Sequence, residues 1–293
     1  MTSFWSAWII VLTLGSIFGY VWLLMANRKT DTAPNEVKHH VFDGIEEYDN
    51  PLPMWWFYLF IVCVVAALAY LAWYPGLGNF KGLGNWTSTQ QHEERVAAKE
   101  ANFQKHVEGF MAISPEELAK DFKAVKMGER IFKSNCAVCH GSDARGSFAF
   151  PNLTDNDWLY GGDAESIKKT ITDGRIALMP SWSMQLGDDM DNMVTFVRNL
   201  SVEGMEGQKS DPMYNKFQQI CSSCHGVDGK GMQASGAPNL TDDIWLYGGE
   251  HHDVKLTIQK GRNGQMPAHK DLLSEERIHL LTAFILSFQN SLD

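Results

Sequence analysis

The sequence predicts a mainly α-helical protein in which two transmembrane helices precede two tandem all-helical domains. Two observations lead to this fold class. Two long runs near the N-terminus contain no charged residue, and runs of that length cross a membrane as helices. After a linker, the rest of the chain repeats itself at roughly 85–87 residues, which indicates a duplicated domain.

The two uncharged runs extend from Phe4 to Ala26 and from Pro51 to Phe80. At about 1.5 Å per residue, a helix over either run crosses a hydrocarbon core of about 30 Å. A cleaved signal peptide is the alternative for the first run, but no basic residue precedes it, and Arg28 and Lys29 follow it. We therefore expect transmembrane helices over residues 1–27 and 54–75.

The flanking charges predict the orientation of these helices. Because Arg28 and Lys29 directly follow the first run, the positive-inside rule places the loop 28–53 in the cytoplasm. Everything after residue 75 then lies in the periplasm of a bacterial inner membrane. Neither run holds an ionisable acid or base apart from Cys63 and tyrosines, so we expect helices that anchor the chain and conduct no protons. Their apolar faces would meet either lipid or the helices of a partner.

A linker with helices is expected over residues 76–122. It opens with several glycines, which indicate an irregular exit from the membrane. Charged helix formers follow from about Ser88 to Phe110, and Ser114-Pro115-Glu116-Glu117 resembles a helix capping box. A helix here would either raise the following domains above the membrane or stand alone in solvent.

The strongest chemical signal is Cys136-Ala137-Val138-Cys139-His140, which returns as Cys221-Ser222-Ser223-Cys224-His225. Cys-x-x-Cys-His is the attachment site for a c-type haem. A lone Cys-x-x-Cys also fits a zinc half-site or a redox dithiol, but the histidine that follows it both times favours haem. The sequence thus predicts two covalently attached haem c groups. Their thioethers would form at Cys136, Cys139, Cys221 and Cys224, with His140 and His225 as proximal iron ligands.

Other matches show that the haem motifs belong to two copies of one domain. Four further segments recur in the same order: Pro151-Asn152-Leu153-Thr154-Asp155 as 238–242, Trp158-Leu159-Tyr160-Gly161-Gly162 as 245–249, Gly174-Arg175 as Gly261-Arg262, and Met179-Pro180 as Met266-Pro267. We place cytochrome c-type domains at residues 123–203 and 208–293. Helices over 127–135 and 212–220 would enter the motifs, and an amphipathic helix would close each copy by packing on the first.

The sixth iron ligand requires a soft or nitrogen donor. Met179 and Met266 occupy the same repeat position, and each precedes a proline. Methionine also fills cores, so either could be packing alone. Met184 and Met232 are fallback candidates, and spacing leaves open whether each methionine serves its own copy or the other. Thioether ligation raises the reduction potential and, with the histidine, fills both axial positions. Such haems pass electrons and do not bind O2.

Several further residues have two readings each. The carbonyls of Pro151 and Pro238 would either accept the ring N–H of the proximal histidines or belong to plain turns. The side chains of Arg175 and Arg262 would pair with haem propionates or remain solvated. Trp158 and Trp245 would pack beside the haems or elsewhere in the core.

Composition limits the class of function. The net charge is −10 and no basic run occurs, which argues against nucleic-acid binding. Four of the five cysteines lie in the haem motifs, so no disulfide framework is expected. An acidic periplasmic part suits electrostatic attraction of a basic donor protein, although most acidic domains have no such partner.

The chain resembles the CcoP/FixP family, the dihaem membrane subunit of cbb3-type cytochrome c oxidase. The likeness rests on the paired haem motifs, the repeated segments, Trp73-Tyr74-Pro75-Gly76-Leu77-Gly78 after the second span, and the segment 43–53 before it. The resemblance implies that the chain receives electrons from a donor cytochrome c. It would pass them to a monohaem cytochrome subunit and a haem–copper catalytic subunit, which reduces O2 to water and pumps protons. Many members have one span, whereas Phe4–Ala26 adds another.

Two other functions fit parts of the pattern. A free-standing, membrane-anchored dihaem carrier would feed other periplasmic reductases and would be stable without a partner. A dihaem peroxidase would need one five-coordinate iron, which the repeated Met-Pro argues against.

Overall fold

A computed structural model describes residues 1–28, 37–48 and 52–289. It divides into two compact units, residues 1–104 and 105–293, which are described separately. Lys29, residues 49–51 of the loop segment and the last four residues of the second copy lie outside the described residues. The mainly helical fold class is confirmed.

The first unit contains two long apolar helices, α1 (Ser3–Ala26) and α2 (Met54–Trp73). Each is long and apolar enough to cross a membrane, as predicted. Between them lies a hairpin that the sequence analysis missed, β1 (Val37–Phe42) and β2 (Ile45–Tyr48). Its turn residues, Asp43 and Gly44, both have positive φ, as tight hairpin turns require.

Helix α1 packs beside α2 in the opposite direction and is held near both ends. Near its start, Ser6 Oγ accepts a hydrogen bond of 2.8 Å from the backbone N–H of Asn79, just after α2. Near its end, the Arg28 guanidinium lies 5.0 Å from the centre of the Phe57 ring. The additional first span therefore forms an antiparallel helical pair with the second.

Helix α3 (Ser88–Val107) leads into the second unit. Ser114 is a helix N-cap, because its Oγ accepts a hydrogen bond from the N–H of Glu117, as expected for one half of a capping box, but the helix it opens is only four residues long. The elements that follow are α4 (Pro115–Leu118), α5 (Phe122–Asn135), α6 (Ala137–His140), α7 (Ala164–Asp173), β3 (Arg175–Met179), α8 (Ser183–Leu186), a 3-10 turn (Gly187–Asp189), α9 (Met190–Gly207), α10 (Tyr214–Ile220), α11 (Ser222–His225), α12 (His251–Lys260), β4 (Arg262–Met266) and α13 (Glu275–Gln289).

The second unit has two hydrophobic cores, and each contains segments from both copies of the repeat. The first core joins α5 and α7 of the first copy with α13 of the second. The second core joins α10 and α12 of the second copy with α8 and α9 of the first. Phe132 of α5 therefore packs on Phe284 of α13 at 5.3 Å, and Phe217 of α10 on Phe196 of α9 at 5.5 Å, between ring centres.

This arrangement differs from the expectation that the first and last helices of one copy pack on each other. The reason lies in β3 and β4, which pair antiparallel. Arg175 lies opposite Met266, and Met179 lies opposite Arg262. Because β3 leads away from the first core, the helices that follow it, α8 and α9, pack in the second core. In the same way β4 leads away from the second core, and α13, which follows it, packs in the first.

Candidate functional site

The second core contains a cavity of about 590 Å³. Cys221, Cys224 and His225 line it together with Met179, which belongs to the first copy. Its walls are mostly apolar and include Phe217, Ile258 and Trp245. Two cysteines, an imidazole and a thioether in one largely apolar cavity are the donor set that a covalently attached, six-coordinate haem requires.

A single helical turn places the cysteines and the histidine at each site. Cys221 directly follows α10 as its C-cap, and α11 then carries Cys224 and His225. In the first core, Cys136 is likewise the C-cap of α5, and α6 carries Cys139 and His140. Burial raises the pKa of the Cys136 and Cys221 thiols to about 11, so both are neutral. The described residues contain no cluster of three or more His, Cys, Asp or Glu side chains placed to hold a metal ion.

Hydrogen bonds orient both motif histidines. His140 Nδ1 donates to the carbonyl oxygen of Pro151 over 3.1 Å, and His225 Nδ1 donates to that of Pro238 over 3.0 Å. This confirms the interpretation of these carbonyls as acceptors. With Nδ1 protonated, Nε2 keeps its lone pair for a metal. Burial lowers the pKa of both histidines, which favours the neutral ligand form.

The first core brings together the equivalent residues. Cys136 of the first copy and Met266 of the second both pack against it. His269, three residues beyond Met266, contributes to lowering the pKa of His140. Its Nδ1 atom is buried without a hydrogen-bond partner among the described residues. Met266 therefore lies with the first haem motif and Met179 with the second, an exchange that spacing had left open.

The fallback methionines lie elsewhere. Met184 is 95% exposed and Met232 is 39% exposed, whereas Met179 and Met266 are partly buried and contact the two cores. The structure thus separates the paired methionines of the repeat from the unpaired ones.

Two glycines fix the methionine-bearing segments. Gly174 and Gly261 have φ of 72° and 73°, a region that favours glycine. A Cβ at Gly261 would overlap the carbonyl oxygen of Met179, and a Cβ at Gly174 would overlap that of Met266. Each glycine therefore contacts the methionine that the opposite copy supplies.

The repeated tryptophans and arginines also lie at the two sites. Trp158 packs against the first core and Trp245 against the second. Arg175 and Arg262 stack on tyrosines, a partner that the sequence analysis missed. The repeat already contained this signal, because Tyr160 recurs as Tyr247 just as Arg175 recurs as Arg262.

A group of carboxylates that was also missed lies beside the second cavity, which Asp155 and Asp157 help to line. Burial first, and then the charges of Asp242 and Asp155, raise the pKa of Asp157 to about 6. The counterpart of Asp157 in the second copy is Ile244, so this feature distinguishes the copies.

Comparison with known proteins is consistent with this geometry. The N-terminal domain of cytochrome oxidase-cbb3, FixP, matches residues 35–81, and the family of cbb3-type cytochrome c oxidase subunit III matches residues 123–197 and again 208–285. The chain is similar to the cbb3-type cytochrome c oxidase subunit CcoP of Rubrivivax gelatinosus, with 43% identity over 99% of this chain and 96% of the relative.

Two further relatives extend the comparison. Subunit CcoP of Cereibacter sphaeroides is 34% identical over 89% of this chain and 98% of its own length. Subunit FixP of Sinorhizobium medicae is 34% identical over 86% and 93%, respectively. Two cytochrome c domains also imply haem c as the cofactor. The chain therefore belongs to the CcoP/FixP family, as a membrane-bound cytochrome c subunit that transfers electrons in a cbb3-type cytochrome c oxidase and holds its haem domains in the periplasm.

Proposed function

We propose that this chain holds two haem c groups and is the electron-entry subunit of its oxidase. It accepts electrons from a donor cytochrome c and passes them to a monohaem cytochrome subunit and onward to the haem–copper catalytic subunit. Bound haem supplies reversible one-electron chemistry at its iron. The observation that carries the proposal is the cavity in which Cys221, Cys224, His225 and Met179 meet.

The chain's own residues have distinct roles in this proposal. Cys136 and Cys139 attach one haem, and Cys221 and Cys224 attach the other. The Pro151 and Pro238 carbonyls accept the Nδ1 proton of the two histidines, which leaves each Nε2 free to bind iron. The iron ligands would be His140 with Met266 at the first site and His225 with Met179 at the second.

A histidine and a methionine ligand at each iron would suit electron transfer. A thioether ligand favours the ferrous form and raises the reduction potential. Such a ligand pair would also leave no position for O2, so we assign oxygen reduction to the catalytic subunit. Helices α1 and α2 anchor the chain among lipid and partner helices, and the acidic net charge favours a donor with a basic surface.

We also propose that the boundaries of the repeat delimit the domains. The spans are residues 1–27 and 54–75, the cytoplasmic loop is 28–53, the linker is 76–122, and the cytochrome c domains are 123–203 and 208–293. The two family matches to the repeat support these limits. Because each core contains helices of both copies, we expect the two domains to fold together.

Intact-mass measurement of the purified chain tests the cofactor proposal. We expect two haems in the unaltered chain and one in each of the variants Cys136→Ala/Cys139→Ala and Cys221→Ala/Cys224→Ala. Cys63→Ser, which removes the cysteine outside the motifs, is the control and should retain both. A single haem in the unaltered chain would contradict the proposal.

Oxygen consumption by the gently solubilised complex, with reduced cytochrome c as the donor, tests the electron path. We expect each double-cysteine variant to lose this activity while the catalytic subunit still oxidises a small artificial donor. Normal cytochrome c-driven respiration in either variant would show that electrons enter elsewhere.

A further inference from the structure

Two arginines occupy matching positions at the two sites. Arg262 begins β4 and lines the second cavity together with Met179 and His225. Arg175 begins β3 and lies opposite Met266, the methionine of the first core. The antiparallel pairing thus gives each site one arginine on one strand and one methionine on the other.

The surroundings of Arg262 hold it in one position. Its guanidinium carbon lies 4.3 Å from the centre of the Tyr247 ring, so the ring covers one face of the cation. Its Nε and Nη2 atoms donate to Thr257 Oγ1 over 3.0 and 2.7 Å. These contacts fix the plane of the guanidinium at the wall of the cavity.

Arg175 is held in the same manner. Its guanidinium carbon lies 4.5 Å from the centre of the Tyr160 ring. Its Nε atom donates to Thr170 Oγ1 over 2.9 Å, and its Nη2 atom donates to the Ser166 carbonyl over 3.5 Å. Tyr160 and Thr170 are the repeat counterparts of Tyr247 and Thr257. An arrangement in which arginine, tyrosine and threonine all recur is unusual for two solvated arginines.

Both cations retain N–H groups that need an acceptor. Arginine has five donors in a planar fork that matches a carboxylate. Among the described residues, no carboxylate lies within ion-pair distance of either guanidinium, although Asp155 and Asp157 line the same cavity as Arg262. Haem carries two propionate carboxylates, and a haem attached at Cys221 would bring them into this cavity.

We propose that Arg262 and Arg175 bind haem carboxylates at the second and first sites, and that Tyr247 with Thr257, and Tyr160 with Thr170, are the residues that position them. The inference rests on the proposed presence of two haems. A fixed cation close to the iron favours the ferrous form, because oxidation adds positive charge there. Each arginine therefore raises the reduction potential of its own haem.

Redox titration of the purified complex, followed by haem absorbance, tests this inference. Met179→His and Met266→His assign the two titration steps, because a nitrogen donor replaces the thioether and lowers the potential of that haem alone. Arg262→Gln should lower the midpoint potential of the same titration step that Met179→His lowers. The expected size is an about tenfold lower ferrous-to-ferric ratio at a fixed ambient potential, which is equivalent to 59 mV for one electron. Arg175→Gln should do so for the step of Met266→His.

Further variants separate positioning from charge. Arg262→Lys keeps the charge and should shift the step less than Arg262→Gln. Tyr247→Leu should shift the same step as Arg262→Gln by a smaller amount, while Tyr160→Leu shifts the other step. Intact mass shows that both haems remain attached, which separates a change in potential from a loss of folding.

The results distinguish this inference from the proposed function. Equal shifts of both steps, no shift with either arginine variant, or an Arg262 shift that coincides with Met266→His would overturn the inference. If neither methionine variant moves any step, the proposed ligand set itself fails.

Discussion

The two haem cores are built from the same residues but differ in what surrounds them. Each has a helical turn with Cys-x-x-Cys-His, a proline carbonyl that orients the histidine, and an arginine stacked on tyrosine. The residues between the cysteines are Ala137 and Val138 in the first motif, where Val138 is 94% exposed, and two serines in the second.

Part of the linker packs on the first core. Helix α4 packs on α13, and His279 of α13 hydrogen-bonds to the carbonyl of Ile113 over 2.9 Å. Leu118 of α4 is 1% exposed. The shared features thus define the cofactor chemistry, whereas these linker contacts are a feature of the first core.

The largest expected effect concerns the exchanged helices. Phe132→Ala and Phe217→Ala should each lower the free energy of unfolding by about 3–5 kcal/mol, because both rings are fully buried. Denaturant unfolding of the purified chain measures this. Phe122→Ala, at a ring that is 75% exposed, is the control and should change stability by less than about 0.5 kcal/mol.

A double-mutant cycle tests directly whether the packed aromatic pair joins the two copies. Phe132 and Phe284 should show a coupling energy of about 0.5–1.5 kcal/mol, as expected for a packed aromatic pair. Phe132 and Phe196, which belong to one copy but to different cores, should be additive. Coupling between Phe132 and Phe196 would mean that each copy folds on itself.

A smaller effect is expected at the glycines beside the methionines. Gly261→Ala should displace Met179 and so open the second iron to carbon monoxide. Gly174→Ala should displace Met266 and so open the first iron. The strain at positive φ costs about 1–3 kcal/mol by itself. Gly187→Ala is the matched control, since Gly187 also has positive φ but has no atom near its Cβ position.

Carbon monoxide binding to the ferrous chain measures the opening. If Gly187→Ala opens an iron as much as Gly261→Ala does, backbone strain and not the overlap with the methionine carbonyl would be the cause.

The smallest effect concerns Asp157, which only the first copy has. Its pKa is raised to about 6, so its ionised form destabilises the fold at neutral pH. Asp157→Asn should therefore stabilise the chain above pH 6 by about 1 kcal/mol, a value reduced for partial solvent exposure. The gain should shrink as the pH falls below about 6 and disappear below about 4, where the Asp157 carboxyl becomes protonated in the unfolded as well as the folded protein.

Unfolding measured across this pH range provides the check. Asp163→Asn should behave in the opposite manner, because hydrogen bonds from the Ser166 side chain and backbone lower the pKa of Asp163. A stabilisation by Asp157→Asn that does not vary with pH would contradict the electrostatic explanation.

Much of the fold and the site followed from local signals. The expected helical spans 1–27 and 54–75 lie within two residues of α1 and α2 at each end, and the haem motifs, Pro151 and Pro238 were placed by their recurrence. The β1–β2 hairpin was missed although Asp43-Gly44 between apolar residues is a strong turn signal.

The exchange between the cores was not predictable from the sequence for a physical reason. Because the two copies are similar, the apolar face of α9 is suited to packing in either core. The choice depends on the direction of the chain after Gly174 and Gly261, where β3 and β4 pair with each other. Tyr160, Tyr247 and Asp157 acquired roles only when contacts in space were known.

The exchange of methionine ligands is tested most directly in a chain with one haem. In the variant Cys136→Ala/Cys139→Ala, which keeps the haem at Cys221 and Cys224, we add either Met179→Ala or Met266→Ala and measure carbon monoxide binding to the ferrous form. The structure predicts that Met179→Ala opens this iron and Met266→Ala does not. Binding that appears with Met266→Ala and not with Met179→Ala would contradict the account.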